Sequence, residues 1–397
     1  MTAQGAATKP PPVFSHAFRL LRGGGVLLDA QEAESQILDE AVTVAFGSRS
    51  MTIGYRDILC ARAENYRVIA ELRDGTQAEF YYLGHFFDSF SEDFLEKYNA
   101  VVKKDSFMAG EAVCVRSGAC FSHAGPPCEK GECDLLLDAH AVTIQRIGGA
   151  PAKLPYAMID SVDYRQYDFS IAIYGDRWDF SMLGHEYGSF KTQYAKCYGA
   201  LVAQADAWLA ALASGVPEAS MHGAAELFLD GRPVARPAAE RLAPGLWAAV
   251  FNKACELSAK EYFEYLAGNA DSLEIGFKDS LYEAGGSFIW LMARMGKHIV
   301  FEAVSSGQTG MATYLYHIQN DAQETMRLIN YCMHMTEFRR EPVYLSEKEL
   351  DRDENAGYRD ALLRVPQINT LRGLYDGRLM HTAFESWEKS LRAKTQE

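Results

Sequence analysis

The stretch Leu83-Gly-His-Phe-Phe-Asp-Ser-Phe-Ser-Glu-Asp-Phe-Leu-Glu-Lys-Tyr-Asn-Ala-Val-Val102 decides how this chain is read, because it recurs as Leu183-Gly-His-Glu-Tyr-Gly-Ser-Phe-Lys-Thr-Gln-Tyr-Ala-Lys-Cys-Tyr-Gly-Ala-Leu-Val202. Eight of the twenty positions are identical without a gap: Leu, Gly, His, Ser, Phe, Tyr, Ala and Val. Chance would supply about one identity, so a duplicated module explains the match. The correspondence reaches upstream to Tyr55/Tyr156, Ile58/Ile159 and Tyr66/Tyr167 once one residue is dropped in a turn.

Working outward, each copy has the same order of local signals. Ala41–Phe46 and Tyr66–Leu72 alternate apolar and polar residues like half-buried strands, and Asp74-Gly75 marks a hairpin before a return strand over Gln77–Leu83. The second copy repeats this with Ala141–Ile147, Tyr167–Tyr174, a turn at Gly175-Asp176 and Arg177–Leu183. Both close with an amphipathic helix, capped in expectation by Asp88 or Ser89 and by Ser189. Its inward positions are Phe90, Phe94, Tyr98 and Val101 in one copy and Phe190, Tyr194, Tyr198, Leu201 and Ala205 in the other.

Several strands closed by one helix, across roughly residues 25–210, resemble the pleckstrin-homology-like or GRAM-like architecture, a bent antiparallel barrel plugged by a terminal helix; a small α+β sandwich is the alternative. The early hairpin loops lack the Lys/Arg cluster that phosphoinositide-binding members of that fold use. Past Pro217 the pattern changes. Leu242–Leu257 and Ala259–Leu266 read as helices, the second opened by a Ser258-x-x-Glu261 capping box. A meander of Ser287–Ala293, His298–Val304 and Met311–Ile318 leads to a helix over Asp321–Met335 with Met326, Ile329 or Leu328, and Met333 inward. Strands ending in a helix leave room for a diverged third module. With Phe338-Arg-Arg-Glu-Pro-Val-Tyr-Leu345, Tyr358-Arg-x-Ala361 and Gly377-Arg-x-x-His381, the layout resembles a family of uncharacterised bacterial proteins with tandem pleckstrin-homology-like repeats, a resemblance that implies a bacterial setting and no particular activity. The expected fold class is thus α+β: a tail over 1–13, repeat 1 over 14–108, repeat 2 over 109–213 with a Cys-rich entry loop, and a C-terminal α+β domain over 214–397, with a diverged third module left open.

The totals restrict function. The chain has 397 residues and a formal charge of −14, from 53 acidic and 39 basic residues. That balance, with no Lys/Arg-dense stretch, speaks against nucleic acid and against an anionic membrane as a bulk electrostatic partner, with lipid binding kept as a minor option. No uncharged apolar run of about 18 residues occurs, so no transmembrane segment is expected. The start, Met1–Val13, has no secretory pattern, and the predicted location is cytoplasmic.

Three groups of residues are candidates for chemistry. Cys114, Cys120, Cys128 and Cys133, with His123 among them, gather half of the eight cysteines within twenty residues. Thiolates at that density suit a structural zinc, although Cys-x-x-Cys knuckles are missing; unligated reduced thiols and a redox pair fit as well. His85 and His185 are repeat-equivalent, which suits either a duplicated ligand site or a histidine that hydrogen-bonds a loop or helix start beside Gly84 and Gly184. Arg339, Arg340, Arg372, Arg378 and His381 can build an anion pocket, or make ordinary ion pairs with nearby acids. Glu347–Glu354 reads as a solvated helix opened by Ser346-x-x-Glu349. Metalloprotease, nucleophile-elbow, dinucleotide and P-loop signatures do not occur at His185-Glu186, Gly285-Gly286-Ser287, Gly23-Gly24-Gly25 or Gly296-Lys297. The expected function is a non-enzymatic binding or scaffold protein whose modules hold a protein or peptide. The alternative is a small-anion sensor or enzyme with its site in the C-terminal domain.

Overall fold

The duplication is written into the strand order. The computed structural model describes residues 11–108, 112, 114–123, 129–146, 151–212, 218–278, 288–305 and 311–396. Repeat 1 contains β1 (Val13–Arg22), β2 (Gly25–Ile37), β3 (Ala41–Phe46), β4 (Arg49–Gly54), β5 (Ile58–Glu64), β6 (Arg67–Leu72) and β7 (Thr76–Tyr81), followed by α1 (Phe87–Asp105). Repeat 2 contains β8 (Cys114–His123), β9 (Glu129–Leu137), β10 (Ala141–Arg146), β11 (Ala152–Pro155), β12 (Ile159–Tyr164), β13 (Phe169–Ile173) and β14 (Asp176–Ser181), followed by α2 (Tyr187–Leu212). The sheets run β4-β3-β2-β1-β7-β6-β5 and β11-β10-β9-β8-β14-β13-β12, one permutation used twice. In each, the first strand lies between its hairpin partner and the last strand. It shifts register partway, between His16 and Phe18 in β1 and between Arg116 and Ala119 in β8. Such bulges bend a strand and let an antiparallel sheet curl.

The closing helices seal the curl. Phe90, Phe94, Tyr98 and Val101 are buried along α1, and Phe190, Tyr194, Leu201 and Ala205 along α2, as helical spacing predicts, except that Tyr198 is only partly buried and Cys197 turns inward beside it. Tyr55 meets Phe94 edge-on at 5.5 Å, and the equivalent Tyr156 meets Tyr194 at 5.4 Å. The expected caps are corrected. Each helix is entered through a 3-10 turn, Gly84–Phe86 or Gly184–Glu186, in which the glycine takes a left-handed φ of +56° or +57°. Phe86 occupies the position before α1 and makes no side-chain cap, while Ser89 donates back to the Phe86 carbonyl; α2 begins at Tyr187, upstream of Ser189.

The C-terminal region contains α3 (Glu218–Leu227), β15 (Val234–Ala235), α4 (Arg236–Leu242), α5 (Leu246–Ala254) and α6 (Lys260–Asn269), then β16 (Ser272–Lys278), β17 (Phe288–Met295), β18 (His298–Ser305) and β19 (Ala312–His317). There follow α7 (Ala322–Met335), α8 (Glu341–Tyr344), α9 (Glu347–Leu350), α10 (Ala356–Arg364), α11 (Pro366–Leu374), β20 (Tyr375–Met380) and α12 (Phe384–Thr395). A π turn, Cys255–Ala259, carries α5 into α6, so the break expected near Ala259 is corrected to a continuous helical path; the Ser258 side chain of the expected capping box lies outside the described residues. By contrast, Asp321 caps α7 and Ser346 with Glu349 forms a complete capping box on α9.

The third sheet runs β15-β16-β17-β18-β19-β20, each strand beside its neighbour in sequence. That order differs from the permutation the repeats share, so the described strands of the C-terminal region do not repeat their wiring, and the strand order lends the third-module reading no support. Strands followed by a helix are common enough to mimic a repeat without its connections. Helices cover this sheet on both faces. Phe288, Trp290 and Met292 face α7–α11, whereas Ile289, Leu291 and Ala293 join the core of repeat 2 and α2–α6. Burial on both sides is why β17 reads as an almost unbroken apolar run. Repeat 1 keeps a core of its own. Among the described residues, no helix is long and apolar enough to cross a membrane.

Candidate functional site

The predicted anion pocket splits in two. Arg340 lies over the Tyr314 ring at 5.3 Å and over Phe288 at 5.9 Å, while Arg378 lies over Tyr344 at 4.2 Å. Tyr314 and Tyr344 are themselves 6.0 Å apart, so these two guanidiniums meet on one aromatic patch. Arg339 turns instead to the Phe107 ring at 4.9 Å and to Glu337 at 3.6 Å. His381 lies on the other side of the sheet, because the pleat sends positions 378 and 381 to opposite faces. There it stacks flat on Tyr262 at 3.8 Å and sits 3.2 Å from the fully buried Glu302, which also accepts from Thr313. Trp387 in turn donates to Thr313 at 2.7 Å. Arg372 is structural: it donates to the carbonyls of Pro342 and Leu345 at 2.9 and 2.7 Å and pairs with Glu347.

The Cys-rich entry, expected as a loop, is corrected where described to two paired strands, β8 and β9, and of its cysteines the described side chains are those of Cys120 and Cys133. Cys133 pairs in register with Ala119 and shares its buried face, so Cys120, one residue further along β8, takes the opposite face. Two thiols on opposite faces do not close on one ion. Burial pushes the Cys133 thiol up to about 12. His123 stacks on Trp178 at 4.2 Å. Cys128 and the side chain of Cys114 lie outside the described residues. Among the described residues, no group of three or more His, Cys, Asp or Glu side chains is placed to hold a metal.

The equivalent histidines do not brace the backbone. His85 is exposed with its ring against Phe86 at 3.9 Å, and His185, 93% exposed at its side chain, lies 3.4 Å from Glu186. What they mark is a duplicated surface. Tyr66 and Tyr167 are 79% and 62% exposed, and Tyr82 and Met182 are 76% and 72% exposed. All four hold left-handed backbone, with φ between 57° and 80°. The register Val68↔Phe80 and Phe169↔Phe180, continued by two residues, sets Tyr66 level with Tyr82 and Tyr167 level with Met182. The first turn of the helix completes each patch: Phe87 lies 5.4 Å from Tyr66, and its equivalent Tyr187 lies 6.4 Å from Tyr167. Tyr82 also borders a groove of about 580 Å³ beside Gln31, Glu34 and Phe46. On repeat 2, Arg165, Asp168 and Ser181 next to the patch line a groove of about 740 Å³.

This patch was visible in the repeat alignment, which pairs Tyr66 with Tyr167 and places aromatics at both 87 and 187. The strands expected to start at Tyr66 and Tyr167 start at Arg67 and Phe169, which leaves both tyrosines in the turns before them. One further cleft, of about 330 Å³, opens between repeat 2 and the C-terminal region and is lined by Arg232, Glu274, Arg327 and Asn330 among others. Burial raises the Glu274 carboxyl there, although the Gln323 amide donates to it at 2.7 Å. No protein-family model matches the chain, and no curated protein is significantly similar to it.

Proposed function

We propose that this chain is a binding or scaffold protein, and that its two modules present matched aromatic patches to a protein or peptide partner. A curled antiparallel sheet closed by a C-terminal helix is the architecture of a pleckstrin-homology-like module, and the two copies are read as such. The observation that carries the reading is the patch itself, built twice. A large apolar side chain left in water gains nothing from burial, and a non-glycine residue in left-handed backbone costs about 1 kcal/mol or more. Tyr66, Tyr82, Tyr167 and Met182 incur both penalties at equivalent positions. Strain of this kind, retained at a repeated exposed site, belongs to recognition rather than to folding.

The test is a peptide-display selection on the full chain, followed by calorimetry with the strongest peptide. Two equivalents should bind. Tyr66→Ser with Phe87→Ser should remove one, Tyr167→Ser with Tyr187→Ser the other, and thermal stability should stay close to that of the parent. Peptide binding that survives all four substitutions overturns the proposal.

A second reading rests on Arg340 and Arg378. Two guanidiniums held over the Tyr314/Tyr344 pair form a small cationic, aromatic-walled surface suited to a carboxylate or phosphate. Stabilisation by inorganic phosphate that disappears in Arg340→Ala and in Arg378→Ala supports it; no stabilisation in the parent chain rules it out.

A further inference from the structure

The two repeats share a second feature, hidden inside the molecule. Strands β5 and β12 each begin with a bulge: the ladder shifts between Ile58 and Cys60 in one and between Ile159 and Ser161 in the other. A bulge leaves its backbone groups out of the regular ladder, so their carbonyls need other donors. In repeat 1 the donor is Arg364, which reaches the Ile58 carbonyl at 2.7 Å and the Leu59 carbonyl at 3.2 Å. In repeat 2 it is Arg232, which reaches the Ile159 carbonyl at 3.2 Å and, in the 3-10 turn Tyr156–Met158 just before the strand, the Ala157 carbonyl at 2.7 Å, while also donating to the Glu226 carbonyl of its own segment at 3.0 Å. Ile58 and Ile159 are equivalent in the duplication. The Arg364 guanidinium also lies 5.8 Å from the Tyr98 ring, whose hydroxyl donates to the Leu59 carbonyl at 3.0 Å.

The two arginines have no such kinship. Arg364 ends α10, whereas Arg232 lies in the turn after α3, and no repeat relates these segments. Two unrelated segments converging on one corner of two related modules make that corner a property of the module. We propose that each repeat carries an arginine socket at this bulged corner, and that the C-terminal region fills both sockets with Arg364 and Arg232. The ligand class is a guanidinium. Its planar fork can meet two converging carbonyls at once, while an ammonium, compact and strongly hydrated, meets them as a point charge. Occupied sockets fasten both modules to one body, which sets how their aromatic patches are presented. The inference stands independently of what those patches bind.

The test uses full-length Arg364→Ala and Arg232→Ala chains, with methylguanidinium as the probe and methylammonium as the control. Each variant should show a saturable rise in melting temperature of about 2 °C with tens of millimolar methylguanidinium and none with methylammonium. The parent chain, its sockets full, should respond to neither. A response in only one variant, an equal response to both cations, or an equal response in the parent overturns the inference. If the alanine chains do not fold, Arg364→Lys and Arg232→Lys replace them. Hydrogen exchange should then accelerate in β5 with α10 for the first and in β12 with α3 for the second, and unchanged exchange is the overturning result.

Discussion

Lowering the pH from 7 to 5 should loosen the C-terminal region, and one side chain, His334, supplies a separable share of that effect. Its Nε2 donates to the Gly231 carbonyl at 2.8 Å in a fully packed setting. A Cβ added to Gly231 would lie 2.4 Å from the His334 ring, which shows how little room remains for water. Burial pushes the imidazole down from 6.5 to about 3, helped by the positive charges of Lys278 and Lys153 and opposed by the Gly231 hydrogen bond. Because the folded value is depressed, the unfolded chain takes up more protons as the pH falls. The stabilisation is therefore complete above the unfolded value of 6.5 and is lost progressively on the way down toward 3. At pH 5 an unfolded histidine is almost wholly protonated and the folded one almost wholly neutral. The loss between pH 7 and pH 5 is then about 2 kcal/mol, or roughly a 30-fold rise in opening. This figure hardly changes if the folded value is nearer 4, since pH 5 would still lie above it. Native-state hydrogen exchange of α7, converted to opening free energies, measures the effect. His334→Gln keeps a donor for Gly231 without a titration, so its pH 7 to pH 5 loss should be smaller by about 2 kcal/mol. Equal losses in variant and parent would refute the reasoning, whatever the variant's absolute stability.

Two further outcomes follow from packing. Gly276→Ala should destabilise the third sheet by about 1–3 kcal/mol through overpacking, because the new Cβ would lie 2.4 Å from the Trp290 ring; indole fluorescence during denaturant unfolding reports it, and an unchanged midpoint contradicts it. In the native chain, Cys133 and Cys332, both fully buried and both with raised thiol pKa, should be alkylated by iodoacetamide at least about a hundredfold more slowly than the partly exposed Cys120. Comparable rates, read by peptide mass spectrometry, would show that these cores open readily.

The sequence alone determined the duplication, the helix faces and the meander. These are encoded locally: identities at fixed spacing, apolar residues every three or four positions, and apolar runs between turn residues. Hence Ala41–Phe46 is β3 to the residue, and Phe90, Phe94 and Tyr98 are buried as their spacing required. The hairpin of β1 and β2 was harder to see, since most of Gly25–Ala30 faces solvent and carries no alternating apolar signal. Tertiary structure alone decided which distant residues meet. Arg340 and Arg378 share an aromatic patch while His381 is turned away, because sheet pleating, not proximity in sequence, assigns faces. Cys120 and Cys133 are separated for the same reason. The arginine sockets join positions 306 and 73 residues apart, Arg364 with Ile58 and Arg232 with Ile159. Nothing local in Arg364 or Arg232 marks them for that use; the carbonyls that a guanidinium can bridge converge only once these strands and the turn before β12 have formed.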